Sequence, residues 1–132
     1  KALMYQVEIG KTLPAYATAA GHAMLAYLTE AELLELYPEP TLLGYTQHTV
    51  RSREALFEML VEVREKGYAL NRGQLGAGIA AVAVPARDEQ GRVVGAFSVA
   101  GPAEQFGNED VYRRYLPALL EAAAEPVEQR TA

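Results

Sequence analysis

Residues 71–102 read NRGQLGAGIAAVAVPARDEQGRVVGAFSVAGP. Two apolar runs, residues 79–85 and 93–100, flank a polar segment from Asp88 to Gly91, a pattern that predicts a β-hairpin with a multi-residue loop. Both strands are rich in Ala, Gly and Ser, whereas strands that fill a core usually carry larger side chains. Either a helix packs closely against these strands, or a ligand fills the space that the small residues leave.

The two faces of the second strand differ in side-chain size. A period of two places its residues on alternate faces of a sheet. One face carries Val93, Gly95, Phe97 and Val99, and the other carries Val94, Ala96, Ser98 and Ala100. The first face can hold helices, and the second tapers to small residues.

The segment before the hairpin predicts one strand, three helices and a short strand. The strand covers residues 2–9, the helices cover residues 17–28, 30–36 and 53–66, and the short strand covers residues 68–71. Thr29 and Glu32 have the spacing of a capping box. Ser52 is the predicted N-cap of the third helix, Gly67 is its C-terminal stop, and its apolar face carries Leu56, Met59, Leu60 and Val63.

A final helix is predicted from an N-cap at Asn108 to about residue 124, with Pro117 kinking it or restarting it. Helices before and after an antiparallel meander are typical of the α+β class, a sheet flanked by helices. With 132 residues, of which 50% are hydrophobic, the chain has the size of one domain.

Composition excludes several classes of function. The chain contains no cysteine, which rules out disulfides, thiol chemistry and cysteine-based zinc sites and favours a cytoplasmic location. Its formal net charge of −5 predicts poor binding to nucleic acid. No apolar run reaches the roughly 18 to 20 residues of a membrane span, so no membrane partner is expected. Because the sequence starts without Met, we expect a fragment of a longer protein.

Three segments together resemble the effector-binding domain of IclR-family bacterial transcription regulators. They are LPAYATAAGHAMLAYL at residues 13–28, EVREKGYALNRG at residues 62–73 and GAGIAAVAVPARDEQGRVVGAFSVAGP at residues 76–102. Their order and spacing match the family from about residue 2 to residue 125. Several separate motifs agree in order, and this makes the resemblance specific.

The resemblance implies a GAF-like fold for residues 1–132, with a small-molecule pocket on one face of the antiparallel sheet and assembly as a homodimer or homotetramer. DNA would be bound only through an upstream winged helix-turn-helix domain, which is absent from this chain. The opening helix and the first strand or strands of the family domain are also expected to be missing.

The resemblance also places the pocket on particular residues. It implies that the strand before the LP motif, the start of the small-residue helix, the loop after the GY dipeptide and the hairpin line the pocket. The corresponding ligand-binding positions are Tyr5, Thr18, Ala19, Ala20, Asn71, Ala81, Ser98 and Ala100. The small side chains at positions 81 and 100 predict a roomier and less polar pocket than one built for a very small keto acid.

Other kinds of site are weakly supported. His22 and His48 are the only histidines, and no metal-ligand spacing connects them with carboxylates, so neither a metal nor another cofactor is expected. An enzyme would use Ser98 as nucleophile and His22 as base, but Ser98 lies within a predicted strand and not on a nucleophile elbow. The glycines of residues 73–78 precede a strand, so they fit a flexible loop beside the pocket better than a phosphate cradle.

These observations favour a ligand-sensing domain of a transcription regulator, with no catalytic residues. The effector would be a small organic molecule, such as a carboxylate or an aromatic catabolite. An oligomerisation module on the same fold without effector binding is the alternative, and a small enzyme using Ser98 is a weaker one.

Overall fold

A computed structural model describes residues 12–104, 106 and 110–128. The predicted strand over residues 2–9, the Asn108 cap and Tyr5 lie outside the described residues. Over this part of the chain the order is a 3₁₀ turn Ala15–Ala17, α1 Ala19–Leu25, α2 Glu30–Leu36, α3 Arg53–Lys66, β1 Ala69–Arg72, β2 Ile79–Arg87, β3 Val93–Pro102 and α4 Asp110–Ala123. The predicted α+β class, an antiparallel sheet flanked by helices, is confirmed.

The three strands form an antiparallel sheet in the order β1-β2-β3. β2 pairs with β3 along its whole length, from Ile79 opposite Pro102 to Arg87 opposite Val93. β1 pairs only with the first half of β2, and its register ends where Ala69 faces Ala83. Pro85 lies beyond that end, where a missing N–H group costs the sheet least. Within the described residues the predicted strands are confirmed in place, with β1 shifted by one residue and each hairpin strand two residues longer than predicted.

The hairpin turn is held by one carboxylate. Asp88 Oδ1 accepts hydrogen bonds from the backbone N–H groups of Gln90 and Arg92, at 2.9 Å each. Asp88 Oδ2 accepts another from Arg92 Nε at 3.0 Å. Gly91 has a φ of 79°, a left-handed conformation that glycine adopts without strain. These interactions fix the register of the two small-residue strands.

Local capping signals placed α2 and α3 correctly. Thr29 and Glu32 form the predicted capping box of α2. In α3 the Ser52 hydroxyl accepts from the backbone N–H of Ala55, and Gly67 ends the helix with a φ of 82°. Leu56, Leu60 and Val63 of α3 are buried in the main core, which also contains Ala83 of β2.

The helix predicted over residues 17–28 is shorter than expected and covers Ala19–Leu25. Thr18 is extended, and its hydroxyl accepts from the backbone N–H of Gly21 at 3.0 Å, so Thr18 is the N-cap and not an interior residue. At the other end, Tyr27 and Leu28 donate to carbonyls three residues back, a tighter turn that ends the helix before the Thr29 cap.

α4 packs on the face of the sheet opposite α1. Its Leu119 is buried with Val82 and Val84 of β2, and Phe97 of β3 packs against the same cluster. The helix continues through Pro117 from Asp110 to Ala123, so the predicted restart is wrong. Within the described residues, no helix is long and apolar enough to cross a membrane.

Candidate functional site

The two faces of the hairpin are used as the period-two pattern predicted. Phe97 and Val99 of β3 face α4, and Ala96 packs against the core on the α1 side. On this second face, register brings one residue from each strand into a single row: Asn71 pairs with Ala81, and Ala81 pairs with Ala100. This row forms the floor of a cavity, and Ser98 extends the floor along β3.

The start of α1 forms the roof of the cavity. Thr18, Ala19 and Ala20 line it, and their small side chains leave space between helix and sheet. Gly21 fixes the position of this roof, because a Cβ added there would lie 2.0 Å from the carbonyl oxygen of Ala15. Only glycine therefore allows α1 to fold back this closely onto the preceding 3₁₀ turn.

The loop between β1 and β2 forms a side wall through Leu75 and Gly76. Two threonine hydroxyls hold this loop: Thr46 donates to the carbonyl of Gly73, and Thr49 donates to the carbonyl of Gln74. The sequence predicted a flexible loop beside the pocket. The position beside the pocket is as expected, and the threonine contacts, which join segments about 25 residues apart, had no recognisable local signal.

Asn71 connects the floor, the roof and the side wall. Its side-chain Nδ2 donates to the carbonyl oxygen of Ala17 at 2.6 Å, and its Oδ1 accepts from the backbone N–H of Gln74 at 3.1 Å. The residue is 5% exposed. The amide that was predicted as a ligand-binding group thus has a structural role in holding the walls of the cavity together.

The cavity has a volume of about 180 Å³. It is lined by Leu13, Thr18, Ala19, Ala20, Asn71, Leu75, Gly76, Ile79, Ala80, Ala81, Ser98 and Ala100. The structure thus brings together all the predicted ligand-binding residues except Tyr5, which lies outside the described residues. Sequence reasoning missed Leu13 and Ile79, although both lie within the segments that carry the resemblance. It also missed Ala80, whose side chain packs against Phe106 on the opposite face, so its backbone borders the cavity.

Three polar side chains line the cavity. Those of Thr18 and Asn71 bond within the protein, whereas that of Ser98 is exposed. The Thr18 hydroxyl caps α1, and the Asn71 amide bonds to backbone groups. Ser98 is exposed on β3 and offers a hydroxyl that can both donate and accept a hydrogen bond. The remaining walls are apolar side chains and backbone, a lining typical of sites for small organic molecules.

His22 is a packed histidine. The ring is fully buried and does not line the cavity that Ser98 lines. Nε2 lies 2.6 Å from the carbonyl oxygen of Tyr16, so this nitrogen carries the proton and donates. Nδ1 is buried without a hydrogen-bond partner. Burial lowers the pKa of His22 below its ordinary value, although the bond to the Tyr16 carbonyl opposes the shift. Among the described residues, no cluster of His, Asp and Glu could hold a metal ion.

The last helix carries Val111, Tyr115, Leu119 and Leu120, apolar residues from which the sequence predicts part of a surface for self-association. Leu119 is 7% exposed and packs on β2, and the Tyr115 ring stacks on Phe106 with centroids 5.5 Å apart. Leu120 is the residue of this set that is exposed, at 50%, and the side chain of Val111 lies outside the described part. Tyr115 and Leu119 therefore pack within the domain, and Leu120 is the described residue of the set that lies on the surface.

A sheet with helices on both faces and a small cavity under one helix defines a domain of the α+β class. The chain belongs to the family of bacterial transcriptional regulator IclR C-terminal domains, whose family model matches residues 1–128. The resemblance noted in the sequence is thereby confirmed.

Known relatives agree with this assignment. The chain is 41% identical over 92 residues to the HTH-type transcriptional regulator XynR of Escherichia coli K12, a match that covers 70% of this chain and 36% of XynR. The chain spans less than half the length of the curated relatives it matches, with 44% coverage of the Pca operon regulatory protein of Acinetobacter baylyi. These relatives are named as regulators and not as enzymes, in agreement with the prediction of a non-enzymatic domain.

Two solved structures share the fold. The crystal structure of Thermotoga maritima IclR has a TM-score of 0.84 and 30% sequence identity, over 94% of this chain and 50% of that chain. The inducer-binding domain of the PobR transcription factor from Acinetobacter, solved as a double mutant in complex with 3-hydroxybenzoic acid, has a TM-score of 0.83 and 26% identity. That match covers 89% of this chain and 67% of the PobR chain.

Proposed function

We propose that this chain is the effector-binding domain of a bacterial transcription regulator and that a small organic molecule occupies the cavity between α1 and the sheet. The observation that carries the proposal is the cavity of about 180 Å³ at the place where the helix start, the β1–β2 loop and the small-residue hairpin converge. Membership of the IclR C-terminal family and the inducer-binding domain of PobR, a structural relative, support it.

The small residues have a direct role in this proposal. The short side chains of Ala81 and Ala100 on the sheet and of Ala19 and Ala20 on α1 leave space between the two. A ligand would fill this space in place of the larger side chains that normally fill a core. Ser98 would orient the ligand through its hydroxyl. Asn71, Thr18 and the Thr46 and Thr49 contacts would keep the walls in place before the ligand arrives, which lowers the entropic cost of binding.

Ligand binding would act on the regulator through assembly. A molecule in the cavity would contact α1, the β1–β2 loop and three strands at once, so it could stabilise one relative placement of these elements over another. If the two placements favour different dimer or tetramer arrangements, the ligand shifts the equilibrium between them by its difference in affinity. DNA would be contacted by another part of the regulator and not by this chain, whose net charge is −5.

A thermal-shift scan of the purified chain tests the effector site. The scan would use a set of small carboxylates, aromatic compounds and alcohols, because a ligand that binds only the folded state raises its stability by about 2.7 kcal/mol at 100 times Kd. Hits would be repeated on Ala100→Leu, which adds side-chain volume in the cavity, and on Ala55→Leu, which adds the same side chain at an exposed position of α3 and controls for general effects of added apolar surface. If no compound in a broad set raises the melting temperature, the domain is an oligomerisation module without effector binding.

A further inference from the structure

Two arginines from different elements converge on the ring of Tyr27. The guanidinium carbon of Arg87, the last residue of β2, lies 4.6 Å from the ring centroid, and that of Arg64, in the last turn of α3, lies 5.8 Å from it. The two guanidinium carbons are therefore at most the sum of these distances apart, about 10 Å. Tyr27 follows the C-terminal end of α1, whereas the cavity lies at the N-terminal end of that helix.

Among the described residues, no carboxylate forms an ion pair with either arginine. The Arg64 guanidinium contacts the Tyr27 ring. Arg87 contacts the same ring and donates one N–H to the carbonyl oxygen of Gly91 at 3.0 Å. Asp88, the next residue along the chain, is buried, and its two oxygens are bound to groups of the hairpin turn. Since each guanidinium carries five N–H donors, most donors of this pair are available to a ligand.

Other cations of the described chain are placed differently. Lys66 pairs with Glu62, and Arg92 pairs with Asp88. Arg114 stacks alone on a tyrosine, with its guanidinium carbon 5.7 Å from the centroid of Tyr115. Packing explains one stacked arginine, because a guanidinium is attracted to an aromatic face. A second arginine on the same ring adds repulsion between like charges, which an anion between the two would convert into attraction.

Two carboxylates of the neighbouring groove limit the direction from which an anion can approach. Arg64 lines this groove, between α2 and α3, together with Glu30 and Glu58. An anion in the groove would be repelled by both carboxylates. The favoured position is therefore on the side of Arg64 that faces Tyr27 and Arg87.

The number of donors favours a phosphate group over a carboxylate. Each guanidinium presents a planar fork that can hold two oxygens of one anion. A carboxylate has two oxygens, which one fork occupies. A phosphate monoester has three strong acceptor oxygens and close to two negative charges at pH 7, so it can accept from both forks at once.

We propose that Arg64 and Arg87 form a binding site for inorganic phosphate or for the phosphate group of a small ester, at the C-terminal end of α1. Both forks donate to the phosphate oxygens, and stacking on Tyr27 holds the two guanidinium groups near each other. The chain has a net charge of −5 and offers an anion no general attraction, so the affinity comes from this local pair. The site is separate from the proposed effector cavity.

An NMR titration of the ¹⁵N-labelled 132-residue chain at pH 7 and constant ionic strength tests the site. The probes are inorganic phosphate, glycerol 3-phosphate and acetate. We expect saturable shifts of the backbone amide signals around Tyr27, Arg64 and Arg87 with both phosphates, and binding of acetate that is at least about 10-fold weaker. Tighter binding of the ester or of free phosphate supports the site in either case and identifies which of the two occupies it. Shifts that do not saturate, or that spread over the whole surface, would overturn the proposal.

Variants at each arginine test whether both hold one anion. Arg64→Gln and Arg87→Gln should each weaken phosphate binding by about 10-fold or more, because each removes hydrogen bonds to a charged group. Arg87→Lys keeps the charge without the fork and should give an intermediate loss. Arg114→Gln is the matched control, since it removes the same charge from a stack of one arginine on one tyrosine, and it should bind phosphate as the native chain does.

Two results with these variants would overturn the proposal. Equal weakening in Arg114→Gln would show that net charge alone controls binding, and a loss at only one of Arg64 and Arg87 would show that the two do not act together. Melting temperatures of all variants control for folding. A cavity ligand from the thermal-shift scan should bind every variant as it binds the native chain, so failure of the phosphate site leaves the proposed effector site intact.

Discussion

At the scale of single residues, the cavity depends on polar groups that bind backbone and not ligand. Asn71 is the clearest case, because one side chain bonds to Ala17 before α1 and to Gln74 in the β1–β2 loop. Its amide supplies a donor to one carbonyl and an acceptor to one N–H group. No other side chain of similar shape offers both at neutral pH.

The Asn71→Asp variant is expected to be less stable at pH 7 by about 1 to 3 kcal/mol. The new carboxylate would keep the bond from Gln74 but place an oxygen against the Ala17 carbonyl, where Asn71 Nδ2 now donates at 2.6 Å. Protonation of the new carboxylate restores a donor to the Ala17 carbonyl, so the loss of stability should become smaller as pH falls toward 4. Urea unfolding at both pH values measures this, with the exposed Gln47→Glu as the charge-matched control. A loss that stays constant with pH would contradict the assigned bond.

We expect the domain to lose stability in mild acid because His22 is buried in its neutral form. Its pKa is lowered by burial, so the folded state disfavours the charged ring while the unfolded chain has an ordinary histidine pKa of about 6.5. The contribution of neutral His22 is therefore complete above pH 6.5 and is lost as pH falls from there toward the lower folded-state pKa. The stability difference between the native chain and His22→Gln, followed by urea unfolding, should decrease between pH 7.5 and 5. In His48→Gln, which alters an exposed histidine, the native pH dependence should remain; a flat difference for His22→Gln would refute this account.

At the scale of elements, the turn from the 3₁₀ segment into α1 sets the height of the cavity roof. Thr18 caps the helix, His22 donates to Tyr16, and Gly21 lies against Ala15. These contacts all join α1 to the 3₁₀ turn beside it. The local shape of the roof therefore depends on contacts among residues 15–22, and the bond from Asn71 to Ala17 joins it to the sheet.

Gly21→Ala distinguishes helix propensity from packing. Propensity alone favours alanine by about 1 kcal/mol in a helix. The new Cβ would lie 2.0 Å from the Ala15 carbonyl oxygen, a backbone atom that cannot move aside without shifting the turn. We expect a net destabilisation of about 1 to 3 kcal/mol by thermal unfolding. Gly78→Ala, where nothing lies within 4 Å of the added Cβ, is the control. Increased stability of Gly21→Ala would mean that the roof is not packed as described.

The elements that sequence reasoning predicted well are those defined by local chemistry. The capping box of α2 and the Ser52 and Gly67 ends of α3 depend on residues within four positions, and the alternation in β3 depends on period two alone. The start of α1 was misplaced because Thr18 is a cap only in the presence of the 3₁₀ turn before it. The lining positions of the site followed from the family resemblance, but the roles of Asn71 and Thr49 depend on contacts between residues far apart in sequence.

At the scale of the whole molecule, the two faces of the sheet have different roles. The α4 side is filled by large side chains such as Phe97 and Leu119, whereas the α1 side includes a cavity beside a small-residue floor. A surface for self-association would have to lie away from the inner face of α4. Exposed apolar side chains outside α4 include Leu34 and Leu36 of α2, at 40% and 56% exposed.

We expect the chain to self-associate. Closed symmetric assembly is common among soluble oligomers, and the proposed mechanism needs at least two subunits whose arrangement responds to ligand. Sedimentation velocity over a range of protein concentrations should show a dimer or tetramer. A sedimentation profile that remains monomeric at high concentration would count against assembly through this domain.

The central claim is that the small residues of the hairpin leave space for a ligand and do not serve close packing of α1. Ala100 tests it most directly, because it lines the cavity and is exposed. One experiment on Ala100→Leu, urea unfolding of the ligand-free chain with calorimetric titration of the best-binding compound from the thermal-shift scan, measures both consequences. We predict that binding falls sharply while the free energy of unfolding stays within about 0.5 kcal/mol of the native value, as for a substitution into open space. A destabilisation of about 1 to 3 kcal/mol in the ligand-free chain, as overpacking of a filled core produces, would contradict the claim.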